Sequence, residues 1–81
     1  MVMRMDKIFN DGQKVTVLKV GGWKNDFSGV VCGSPETIET VDGDEFCYFI
    51  KFDEPQHDLS NDGPYKKAQI LDRFIEVYVE H

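Results

Sequence analysis

Over residues 45–52 the side chains alternate with a period of two. Phe46, Tyr48, Ile50 and Phe52 fall on one face, and Cys47, Phe49 and Lys51 on the other. A strand that is apolar on nearly both faces belongs in the interior of a sheet rather than at its edge. Residues 14–20 (Lys-Val-Thr-Val-Leu-Lys-Val) are rich in β-branched side chains and lie between glycines, which predicts a second strand. Residues 27–32 predict a third, with Gly29 inside it marking a bulge or a sharp bend. Residues 66–71 and 75–79 supply the last two, separated by Asp72-Arg73-Phe74 as one tight turn. Residues 69–76 also have respectable helix propensity, but the β-branched run that follows favours strands.

The intervening segments are turn-rich. Asn10-Asp11-Gly12 is a turn signal, and Gly21-Gly22 ends the first strand. Residues 33–44 read as a polar connection ending in Asp42-Gly43, a hairpin signal, with 37–41 available to extend the neighbouring strand. Residues 53–65 predict a thirteen-residue loop holding Pro55, His57, Gly63, Pro64 and four carboxylates; loops of this length in compact domains are commonly functional or mobile. Residues 1–9 fit either a helical turn or a frayed strand, and Glu80-His81 fits an expression-tag remnant.

Eighty-one residues make one domain spanning 1–81, with its core over about 11–79. No apolar run approaches the roughly 20 residues of a membrane span, and the start has no hydrophobic core of a secretory signal. The expected location is therefore a reducing cytoplasm. There Cys32 and Cys47, without a CxxC spacing or a neighbouring histidine, are expected as small hydrophobes, a disulfide being the minority alternative. Two thiols alone leave a zinc site two ligands short, so no metal and no other cofactor is expected.

The net charge is −6, and it resides entirely in the second half: residues 1–40 balance, whereas 41–81 hold ten acidic and four basic side chains. This balance weighs against nucleic-acid binding, which needs a basic footprint. An acidic face instead suits a basic protein surface, and it could imitate nucleic-acid charge to inhibit a basic protein. A nucleic-acid-binding barrel would have to use Lys14, Lys19, Lys24 and Trp23.

Several short segments carry a resemblance. Residues 11–17 (Asp-Gly-Gln-Lys-Val-Thr-Val), 28–31 (Ser-Gly-Val-Val), 48–53 (Tyr-Phe-Ile-Lys-Phe-Asp) and 70–77 (Ile-Leu-Asp-Arg-Phe-Ile-Glu-Val) are similar, in order and spacing, to the SH3-like small barrels of prokaryotic and phage proteins. The resemblance implies a mainly β fold: a single five-stranded antiparallel barrel with a short N-terminal segment and a 3₁₀ turn before the last strand. It implies a binding module or small subunit of a larger complex in a bacterial or phage cytoplasm, with partners from peptides to RNA, so the fold does not select the function. The chain departs from the peptide-binding type in lacking a dense acidic and aromatic cluster near its first long loop, and from the RNA-binding types in lacking basic character.

Trp23 follows two glycines, and as the only tryptophan it is either a contact residue or a lid on one end of the core. Tyr65 can share either role, while Phe27 is expected in the core. Asp58, Ser60, Asp62 and Gly63 match half of a calcium loop, with Gln69 where the bidentate carboxylate would stand. Catalysis has no support: neither cysteine has an identifiable base, and His57 and the three serines lie in no catalytic context. The expected function is a non-catalytic protein-interaction module whose contact residues are Trp23, Asp26, Asp58, Asp62 and Tyr65. The oligomeric state stays open, because an exposed sheet edge can pair with itself.

Overall fold

The computed structural model describes residues 8–79. Five antiparallel strands form one sheet: β1 (Lys14–Val17), β2 (Phe27–Thr40), β3 (Gly43–Gln56), β4 (Tyr65–Leu71) and β5 (Ile75–Val77), in the order β4-β3-β2-β1-β5. Two 3₁₀ turns, Lys19–Gly21 and Asp72–Phe74, connect β1 to β2 and β4 to β5. There is no α-helix among the described residues. The strand over 45–52 is interior to the sheet as its two apolar faces require, and the turn at 72–74 replaces the competing helix. The expectations for residues 1–7 and 80–81 lie outside the described residues.

Several boundaries differ from expectation, and the last strand, expected over 75–79, ends at Val77. The first strand ends at Val17, because Lys19–Gly21 turns into a 3₁₀ segment and Gly22, at φ 110°, reverses the chain. The polar stretch 33–44 is mostly strand: β2 runs to Thr40 and pairs from Glu36–Cys47 to Thr40–Gly43, leaving a two-residue turn of Val41 and Asp42. Its side chains are largely exposed, so this hairpin arm is held by backbone hydrogen bonds and carries no alternation to detect. The loop expected over 53–65 shortens to 57–64, since β3 continues through Pro55 to Gln56, which faces Tyr65.

The core is formed by the inward faces of all the strands: Val15 and Val17 of β1, Val31 of β2, Tyr48, Ile50 and Phe52 of β3, Ile70 of β4 and Ile75 of β5, joined by Phe9 and Trp23. Val15, Val17, Tyr48, Ile50 and Ile75 are fully buried. A single sheet with no covering helix reaches that burial only by curling over itself, yet β4 and β5 remain unpaired edges and the ladder is not closed. Among the glycines, Gly29 leaves the least room for a side chain. A Cβ built there would lie 2.6 Å from both Ile50 Cγ2 and the Lys51 carbonyl oxygen. Close approach of β2 to β3, rather than positive φ, is what demands glycine.

Polar groups in the interior are tied. The Phe9 N–H donates to the Tyr48 hydroxyl (3.1 Å), and the two rings meet edge to face. Buried Glu45 accepts a hydrogen bond from Arg73 of the second 3₁₀ turn (2.9 Å), fixing that turn to the start of β3. The two thiols are free: Cys32 is exposed opposite Phe49, and Cys47 is buried opposite Glu36.

Candidate functional site

The first 3₁₀ turn and the 57–64 loop meet at one end of the sheet. The Leu59 N–H donates to the Gly22 carbonyl (3.0 Å), Trp23 and Asp58 form an antiparallel bridge, and the Lys24 ammonium donates to Asn61 Oδ1. The Asp58 carboxylate holds its own loop: one oxygen accepts the N–H groups of Ser60 (2.9 Å) and Asp62 (3.0 Å). That carboxylate is thus engaged in a turn of the sort aspartate forms with its own backbone. Among the described residues no three His, Cys, Asp or Glu side chains are arranged to hold a metal ion. Asp26 closes the other loop, its carboxylate accepting the Lys19 N–H at 2.7 Å.

These contacts seat Trp23 as the floor of an aromatic cluster. Its ring lies 5.2 Å from Phe27, 5.3 Å from Phe52 and 5.8 Å from Tyr65, each edge to face, and Phe27 also meets Phe52 at 4.6 Å. Edge-to-face pairs each contribute about 0.5–1.5 kcal/mol beyond their buried area. Trp23 is only 9% exposed, so the indole is packed from three sides, and Tyr65 at 38% is the ring the cluster presents outward. The ionisation of Tyr65 is pushed up by loss of solvent first and then by the charges of Asp58 and Asp62. Val20 and Leu59, both strongly exposed, lie on the two chain segments that meet there.

Through Phe27 the cluster continues into a polar groove lined by Asn25, Asp26, Ser28, Asp53, Glu54 and Gln56. The Asp53 carboxylate accepts the Ser28 hydroxyl (2.6 Å) and pairs with the Lys14 ammonium (3.0 Å). Those two partners, the serine first, hold its carboxyl below the usual carboxylate range.

The expected contact residues therefore assemble unequally. Trp23, Tyr65 and Asp58 touch or bridge one another, Asp62 acts on Tyr65 through charge, and Asp26 stands on the rim across Phe27. Glu54, Phe52 and Leu59 complete the region without having been singled out. The alternation of residues 46–52 placed Phe52 on the core face, but nothing local indicates that residue 52 meets residue 23. Of the lysines considered for nucleic acid, Lys14 lies over the Tyr78 ring (4.6 Å to its centre) beside Asp53, and Lys24 is bound to Asn61. Comparison with protein-family models, characterised proteins and solved structures gave no match.

Proposed function

We propose that the chain is a non-catalytic protein-interaction module, an SH3-like barrel that engages a basic segment of a protein partner at the Trp23–Tyr65 end. The barrel assignment is supported by the strand order, with β1 between β2 and β5, by the 3₁₀ turn between β4 and β5, and by a core drawn from every strand. One observation carries the binding reading. An outward-facing tyrosine is backed by a packed indole and rimmed by Asp58 and Asp62, with Asp26 and Glu54 in the adjoining groove. A rigid aromatic surface costs little side-chain entropy to immobilise, and carboxylates around it favour cationic partners and speed their encounter.

The test is affinity capture from the source lysate after nuclease treatment, with the parent protein and Tyr65→Ala side by side. A protein retained by the parent, weakened by salt and lost with Tyr65→Ala supports the module; loss of an anchor of this type costs about 2 kcal/mol or more. A partner held equally by both proteins contradicts it. Displacement of the partner by added DNA would instead identify an acidic inhibitor that occupies a nucleic-acid site.

A further inference from the structure

The overall charge of −6 hides a second surface of opposite sign. On the outer face of the sheet Phe49 is 43% exposed in the middle of β3, paired in register with Cys32 of β2 and Gln69 of β4. Two residues along β3, Lys51 stands directly opposite Lys67 of the edge strand β4. Phe49, Lys51 and Lys67 line one shallow and mainly apolar concavity, together with Cys32 and Lys66. Like charges directly opposed across a ladder destabilise it. None of these three lysines has an ion-pair partner among the described residues. Glu36, on the far side of Gln69, takes that residue's hydrogen bond instead.

In a chain with a surplus of carboxylates, the concavity beside this exposed aromatic ring is thus lined by three lysines that have no ion-pair partner among the described residues. The chemistry that suits this is an anion with a flat apolar part. From the strand rise, Phe49 and Lys51 are about 6.7 Å apart along β3, a distance comparable to one nucleotide step in an extended single strand. We infer that this face binds single-stranded nucleic acid, a base stacking on Phe49 while Lys51, Lys66 and Lys67 meet the flanking phosphates. Base–aromatic stacking and phosphate contacts of this kind need no sequence-specific hydrogen bonds. The concavity shares no lining residue with the aromatic cluster of Trp23, Phe27, Phe52 and Tyr65, although Lys66 directly follows Tyr65 along β4, and it uses none of Lys14, Lys19 and Lys24.

The experiment is fluorescence anisotropy of labelled ten-nucleotide oligo(dT) and oligo(rU), starting at about 20 mM salt where phosphate contacts are strongest. Saturable binding is expected, with log K falling on log salt at a slope of about −2 for three phosphates. Phe49→Ala should weaken binding by about tenfold or more, while Phe49→Trp retains it. Lys51→Gln with Lys67→Gln should reduce the slope to about −0.7. Tyr65→Ala should leave oligonucleotide binding unchanged, which separates this site from the protein-binding end. Circular dichroism of each variant confirms its fold, and Lys67→Gln on the exposed edge serves if Phe49→Ala does not fold. The inference is overturned if neither oligonucleotide binds at low salt. It is also overturned if an octaglutamate peptide competes as well as the oligonucleotides and Phe49→Ala has no effect, since the face then recognises acidic peptide by charge alone.

Discussion

Gly29→Ala isolates the contact between β2 and β3 on which the core depends. The substitution adds one methyl group, and Gly29 has no left-handed φ, so space alone sets the outcome. The new Cβ would meet Ile50 Cγ2 and the Lys51 carbonyl oxygen, both at 2.6 Å, where ordinary contacts begin near 3.4 Å. The Ile50 side chain is fully buried and has nowhere to retreat, and the carbonyl belongs to the β2–β3 ladder. Overpacking of this kind costs about 1–3 kcal/mol. The stiffer unfolded chain returns about 0.4–1 kcal/mol, so a net loss of about 1.3 kcal/mol is expected. For a domain this small that lowers the melting temperature by about 5–10 °C. The assay is thermal and urea unfolding followed by Trp23 fluorescence. Adding Ile50→Ala should fail to rescue the variant, because the backbone oxygen remains in place. A Gly29→Ala protein melting within about 2 °C of the parent would refute the close approach.

Trp23→Ala should destabilise by about 3–5 kcal/mol because it removes the floor of the aromatic cluster, whereas Tyr65→Ala should cost about 1 kcal/mol or less; urea titration of the two variants checks the ranking. Asp53, whose folded pKa is depressed, contributes stability that is present above the unfolded value of about 3.9 and is lost as pH falls through the folded pKa. The parent should therefore melt higher than Asp53→Asn near neutral pH, and the difference should shrink as pH is lowered below about 4. Removing Asp58 and Asp62 charge (Asp58→Asn, Asp62→Asn) should bring Tyr65 ionisation back towards the usual value near 10, read by ultraviolet absorbance at high pH. A thiol reagent should label exposed Cys32 in the folded protein and buried Cys47 only on unfolding, whose ionisation is further disfavoured by burial and by the charges of Glu36 and Asp72.

Much of the architecture is legible where burial imposes a period. Val15 and Val17, and Tyr48, Ile50 and Phe52, alternate because one face of each strand is buried, and these residues belong to the core. The arm from 33 to 44 escapes because its pairing is made by backbone groups while Glu36, Glu39 and Asp44 face solvent; the ladder exists without a hydrophobic pattern. The end of β3 is masked by Pro55, a residue that usually argues against a strand but is tolerated where the ladder to β4 is irregular, between Lys51 and Gln56. The candidate site was half visible. Trp23, Tyr65 and Asp58 stand out by residue type and turn chemistry, but their meeting joins positions 35 to 42 apart and rests on the Leu59–Gly22 and Trp23–Asp58 backbone contacts. The basic face was hidden for a different reason: net charge sums over the surface, and Lys51 and Lys67 face each other only through the β3–β4 register.

The proposed landing place of a protein partner is the Trp23–Tyr65 end. Amide and indole NMR chemical shifts of labelled protein, followed as the captured partner or its basic segment is added, test it most directly. Shifts are expected to concentrate at Trp23, Asp26, Asp58–Asp62 and Tyr65 and to be reduced in Tyr65→Ala. Shifts confined to the hairpin arm around Val41, with the Trp23 indole unmoved, would contradict it.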